Sequence, residues 1–386
     1  MTKSLKTYSE LISLVRDYYG IPEAFIPLHE PRFVGNDRKY VMDAIDSTFV
    51  SSVGKYVDRF EEMIRDYTGA KYAIATTNGT SALHMSLILA GVKKDELVIT
   101  QALSFIATCN AISYLHAEPI FVDIDLNTLG LSCDALDSFL KNECEIKGSD
   151  CYHLKSGKRI GAVVPMHTFG HPVEIDRMVE ICARYNVPLV EDAAESIGSK
   201  YKNQHTGTFG LLGAFSFNGN KTITCGGGGV ITTNDEKLAK LGKHLTTQAK
   251  IPHPWDFVHD HIGYNYRLPN LNAALACAQM EMLDQFIEKK RELAAKYIEF
   301  FAATDLNFVK EPKDSFANYW LNCILVKDRE ERDDFLKYTN ENKVMTRPAW
   351  ALMNKLEMFK DCYSDGLENS MYIEDRLINI SSSVKV

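Results

Sequence analysis

The sequence predicts an α/β fold: a mainly parallel sheet covered by helices on both faces, followed by a smaller α/β unit. Two observations carry this reading. Strand-like apolar runs alternate with helical ones through the first two thirds of the chain, and the texture then changes to one long helical stretch followed by a β-α-β pattern. With 386 residues the chain is long enough for two or three cores, and 45% hydrophobic against 24% charged residues is ordinary for a globular protein. The net charge of -8, without any Lys/Arg block, argues against nucleic acid as a partner.

The opening MTKSLKTYSELISLVRDYYG mixes both charges and spaces Leu11, Ile12, Leu14 and Val15 as a helix does, so it reads as neither a signal nor a transit peptide. Residues 1–30 are expected to form a helical extension packed on one lobe. Val57, Phe60, Ile64 and Tyr67 predict a helix ending at Gly69, and KYAIATT predicts a strand that runs into Asn78-Gly79 and the helix SALHMSLILAG. Further strands are expected at ELVITQ, EPIFVDID, GAVVPMHT and VPLVEDA, with helices at IATCNAISYL and EIDRMVEICARY between them. From Leu271 the pattern predicts a single extended helix, and then NCILVKD, REERDDFLKYTNEN and KVMTRP give the β-α-β unit. These features divide the chain into a large domain over 31–289 and a small domain over 290–386. No apolar run reaches the roughly 18 residues of a membrane span. The nine cysteines are scattered without a C-x-x-C pair, which predicts reduced thiols, a cytoplasmic location and no metal ligands.

The chemistry concentrates in Val187–Asn234. A short apolar strand delivers Glu191 and Asp192 to its carboxyl end, the edge where open α/β sheets bind ligands; Asp192 there either pairs with a cation or caps the next helix. FSFNGNK sets Ser216 and Lys221 in a polar turn before Gly226–Gly229. Lys221 is either a solvated lysine or one tuned for Schiff-base chemistry with an aldehyde. TTNGTSALHMSL places Gly79 and Thr80 where a helix begins, so the turn is either an ordinary tight one or a phosphate cradle. Neither a P-loop nor a dinucleotide fingerprint is present. Taken together, the three parts are those needed to hold pyridoxal 5'-phosphate.

The segments PLHEPRFVGNDRKYV, FVSSVGKYVDRFEE, TNGTSALHMSL, SFIATCNAI, EDAAESIGS, GTFGLLGAFSFNGNK, GGGG and GYNYRLPNLNAALACAQME follow the order found in the DegT-type sugar aminotransferases, and the chain resembles that family over nearly its whole length. The resemblance implies fold type I of the pyridoxal-phosphate enzymes. It implies amination, with L-glutamate as donor, of a nucleotide-linked keto-sugar, and the nearest likeness is to the enzymes of bacillosamine and legionaminic acid synthesis, which aminate C4 of a UDP-linked, in some cases GDP-linked, 4-keto-6-deoxy-N-acetylhexosamine. Carried over by position, Lys221 is the Schiff-base lysine and proton shuttle, Asp192 the pyridinium partner, and Phe105 the aromatic stacked on the ring. Glu195 stands where relatives have Gln or His, and Gly79, Thr80 and Ser216 match phosphate ligands. Asn265 matches an asparagine that reaches the phosphate of a neighbouring subunit, which implies a homodimer with shared sites. His167 is expected near the site. Lys55, Tyr56, Arg347 and Trp350 are candidates for the nucleotide diphosphate and base. The rivals are 3-amination of a dTDP-linked sugar, a pyridoxamine-dependent dehydratase, disfavoured because those relatives carry His in place of Lys221, and a silent regulatory member of the family.

Overall fold

The computed structural model describes residues 3–385; the outermost residues of the first and last expected units, 1, 2 and 386, lie outside it. Seven strands make the large sheet: β1 (Tyr72–Thr76), β2 (Leu97–Gln101), β3 (Glu118–Val122), β4 (Ile160–Val164), β5 (Val190–Asp192), β6 (Leu212–Ser216) and β7 (Gly229–Thr233). Their order is β3-β2-β4-β5-β6-β7-β1. The pairs β2 with β3, β2 with β4 and β5 with β6 are parallel, parallel bridges at Val163–Leu189 and Met166–Asp192 join β4 to β5, and β7 runs antiparallel to both its neighbours. The expected α/β class with a mainly parallel, mixed sheet is thus what the chain adopts.

Alternate residues of each strand feed two cores. Ile74, Val98, Ala162, Val164, Val190 and Ile231 pack under the helices Gly79–Leu89, Ile106–Tyr114 and Glu236–Thr246. On the other face Leu97, Ile99, Ile120 and Val163 meet Cys133–Glu143 and Ile175–Arg184, while Ala73, Ala75, Phe215 and Val230 meet Lys55–Thr68 and Asn270–Met280. A strand buried on both faces is mostly apolar, which is why these segments read as short runs rather than alternating ones, and buried polar residues among them, such as Thr100, Gln101, Glu191 and Asp192, fall toward the carboxyl ends.

The long helix expected from Leu271 is in fact two, Asn270–Met280 and Leu283–Phe301. Met282 donates to the Gln279 carbonyl, a tightened last turn, and sits at φ -101°, ψ -6°, at the edge of the right-handed region. Glu281 at the break is held by Asn36, Tyr40 and Arg59. No Gly or Pro marks the position, so tertiary contacts set it.

The C-terminal part forms an antiparallel sheet of Asn307–Phe308, Asn322–Leu325, Leu377–Ile380 and Arg347–Pro348, in that order, covered by the helix Arg329–Glu341. The N-terminal helix Lys3–Tyr19 joins this core through Tyr8, Leu11, Ile12 and Val15, which pack with Leu293, Tyr297, Phe301 and Phe335. Among the described residues no helix is long and apolar enough to cross a membrane.

Candidate active site

Five chain segments converge at the carboxyl edge of the large sheet. β5 ends on Asp192, β6 on Ser216, and the turn after β6 carries Lys221. β1 leads through Asn78 into the helix that starts at Gly79, and β2 leads into the helix Ile106–Tyr114 capped by Phe105. Parallel strands put every such junction on one side of the sheet, which makes the edge a site.

Asp192 is buried. Its Oδ2 accepts from the Thr108 hydroxyl at 2.6 Å and its Oδ1 from the Ala194 amide at 3.1 Å. Burial pushes its carboxyl above the ordinary aspartate range against the pull of these bonds and of Lys221. Phe105 lies one helical turn before Thr108 and therefore on the same face, 46% exposed amid a buried surround. Lys221 is buried, and its Nζ donates to Glu195 Oε1 at 3.2 Å and lies 4.1 Å from the centre of the Trp320 ring. Glu195 accepts the Phe169 amide on its other oxygen at 2.8 Å, and burial raises its carboxyl too, opposed by Lys221.

The helix start supplies the third part. Asn78 caps the Ser81 amide at 2.8 Å, and the Gly79 and Thr80 amides have no partner among the described residues. A Cβ on Gly79 would sit 2.7 Å from Ser216 Cβ and 3.0 Å from its Oγ, so only glycine lets the helix start approach the Ser216 hydroxyl.

The structure therefore brings together Lys221, Asp192, Glu195, Phe105, Gly79, Thr80 and Ser216. Trp350 joins them through ring contacts with Phe105, at 6.1 Å, and with Phe169, at 5.0 Å. Others lie elsewhere. Lys55 and Tyr56 are both engaged by Asp43, at 2.7 and 2.9 Å. Arg347 bonds Asn340 and the Thr346 carbonyl at the surface. Asn265 is exposed on a loop bridged to Thr247. His167 is wholly buried behind the sheet edge: its Nδ1 accepts the Val173 amide at 3.3 Å, which assigns the ring proton to Nε2, 3.0 Å from Glu191.

Three contributors escape sequence reasoning. Trp320 covers Lys221, and its indole N–H donates to the Asn220 carbonyl at 2.7 Å. Asn318 donates to the Glu195 and Ile197 carbonyls, each at 2.9 Å. Lys290, fully buried and held well below its ordinary basicity by burial, donates to the Trp320 and Ser382 carbonyls. The rare tryptophan in NYW was the available signal. Thr108 is a fourth, legible only as the helical neighbour of Phe105.

A profile of the DegT/DnrJ/EryC1/StrS aminotransferase family matches residues 32–386. The chain belongs to this family. It is 36% identical over 339 residues to a GDP-perosamine synthase of Escherichia coli O157:H7, covering 88% of each chain, and 35% identical to the putative pyridoxal phosphate-dependent aminotransferase EpsN of Bacillus subtilis, covering 86% of this chain and 84% of that one. Among solved structures, Helicobacter pylori PseC, an aminotransferase involved in the biosynthesis of pseudoaminic acid, superposes with a TM-score of 0.84 at 22% identity over 92% of this chain and 93% of that one, a likeness of fold. This DegT-family protein is accordingly a pyridoxal-phosphate-dependent sugar aminotransferase of fold type I. The residues present fit the cofactor: a buried carboxyl hydrogen-bonded only by neutral donors suits a ring N–H, unpartnered helix-start amides suit a phosphate, and an amine on a sheet-edge turn suits an aldehyde.

Proposed function

We propose that the protein transfers the amino group of L-glutamate to C4 of a nucleotide-linked 4-keto-6-deoxyhexose, working in the cytoplasm as a homodimer. The observation that carries the reading is the meeting of Lys221 Nζ, the Asp192 carboxyl and the free Gly79 and Thr80 amides on one sheet edge. Bound there, pyridoxal phosphate supplies an electron sink. The protein's own groups do the rest. Asp192 keeps a ring nitrogen protonated, Phe105 sets the ring plane, and Gly79, Thr80 and Ser216 anchor the phosphate. Lys221 Nζ takes a proton from the α-carbon of glutamate and later delivers one to C4 of the sugar. Glu195, 3.2 Å away, orients the amine between these events. Asn265 of one copy completes the phosphate site of the other, in keeping with its exposure here.

The nucleotide has two readings. Resemblance to the bacillosamine and legionaminic enzymes points to UDP and an N-acetylated sugar, giving a 4-amino-4,6-dideoxy product for a bacterial glycan. The relative named GDP-perosamine synthase points to GDP, and its likeness spans 88% of both chains, so GDP is tested first. Protein and glutamate are incubated with GDP-, UDP- and dTDP-linked 4-keto and 3-keto sugars and the products read by mass. Amination of a 3-keto dTDP sugar alone would reject the proposal. Lys221→Ala should process none of them, and borohydride should fix the cofactor mass to the Lys221 peptide of the unaltered protein only.

A further inference from the structure

The eleven histidines are unevenly placed: four of them, His244, His253, His259 and His261, fall between positions 244 and 261. Most of the others are buried in cores or behind the sheet edge, whereas these four line one loop and the helix before it. His244 lies in the last turn of Glu236–Thr246, and Asp260 and His261 are neighbours on the loop that follows. Asp260 Oδ1 lies 2.6 Å from His244 Nε2 and 2.9 Å from His261 Nδ1, and the ligand atoms of all three residues lie within 4.8 Å of one another. The two imidazoles are 5.7 Å apart at 87°.

We propose that His244, Asp260 and His261 form a zinc-class metal site on the surface, separate from the catalytic edge. Zinc bonds of about 2.0–2.2 Å to imidazole and carboxylate place tetrahedral donors roughly 3.4 Å apart, so side-chain rotation alone brings these three to coordination distance. Two imidazoles and a carboxylate select a zinc-like ion over calcium or magnesium, which take oxygen ligands. The side chains are 25%, 40% and 54% exposed, leaving room for water as the remaining ligand. The cysteine spacing, which carried the sequence-level search for metal sites, could not reveal a site made of histidine and aspartate.

Such an ion ties the helix end to the loop that leads into Asn265, the residue bridged to Thr247. It would thereby order a segment whose Trp255, Phe257 and Ile262 are 76%, 78% and 86% exposed. The test uses pyridoxal-phosphate-loaded protein freed of metal by dialysis against a chelator, titrated with Co2+ and then Zn2+. One equivalent of Co2+ should give a visible absorption band that Zn2+ displaces, and Zn2+ should slow proteolytic cleavage between residues 250 and 262. His244→Ala and His261→Ala should weaken binding by roughly 100-fold or more, while His253→Ala binds as the unaltered protein does. Absence of binding in excess metal overturns the proposal, as does binding that survives both the His244 and His261 changes.

Discussion

Glu191 and Asp192 are consecutive residues of one strand, both buried carboxyls, and they live in opposite circumstances. Glu191 points behind the sheet edge and accepts four hydrogen bonds: from His167 at 3.0 Å and from the Gly207, Phe209 and Gly210 amides, each at 2.7 Å. Asp192 points to the other side, has two neutral donors, and is pushed up by burial. A saturated carboxylate holds structure together, in this case pinning the 207–210 loop under β5. An undersatisfied one at a strand end is held ready for a cation.

Exchanging the two roles gives the largest expected effects. Asp192→Asn should leave the fold intact and lower turnover by about 10²–10³-fold, the scale of losing one preorganised electrostatic contact. Glu191→Ala should do the reverse, costing at least ~3 kcal/mol in urea denaturation by stranding its donors, while the folded fraction keeps its turnover. If both variants lost activity without losing stability, the contrast would be false. A middle-sized effect is expected at Trp320, which belongs with Asp192 as a residue placed for reactivity. Trp320→Leu removes a desolvated cation–π contact worth about 1–2 kcal/mol and should lower kcat about 10-fold with KM unchanged, and Trp320→Phe should restore most of it.

Two smaller effects concern pH. In the cofactor-free protein Asp192 and Glu195 have raised carboxyls, so the folded state holds protons that the unfolded chain has released, and stability falls as pH rises through those raised values. A cation beside Asp192 cancels part of this loss. The melting-temperature gap between loaded and cofactor-free protein should therefore widen from pH 4 to pH 7, and a constant gap would count against the pairing. His171 and His205 act with the opposite sign: both are buried and pushed down to about 4 from 6.5, so stability is complete above 6.5 and falls as pH drops toward 4. A thermal melt series between pH 7 and pH 4 should show that slope, reduced in His205→Asn.

Much of this edge was legible in advance because its residues sit at the ends of strands. Strand-to-helix junctions announce themselves through Asn78-Gly79 and through the turn after β6, and parallel pairing then gathers them without further instruction. Trp320 and Asn318 were not legible. They reach the Lys221 turn from the segment that leads into strand Asn322–Leu325, and no local pattern reports a contact spanning some hundred positions. The same limit explains the missed helix break at Met282, where Glu281 answers to Asn36, Tyr40 and Arg59 rather than to its own neighbours. Lys55, Tyr56 and Arg347 show the converse: charge and aromaticity in the sequence are met by protein partners, Asp43 and Asn340, as readily as by a ligand.

The N-terminal helix shares its core with Phe335, Ile378 and Ile380. The apolar face of Lys3–Tyr19 is therefore covered mainly by residues far along the chain, so this core closes by long-range pairing. Lys290 ties the Trp320 carbonyl to the Ser382 carbonyl just past strand Leu377–Ile380, so the cover over Lys221 is braced from the same remote core that receives the N-terminal helix.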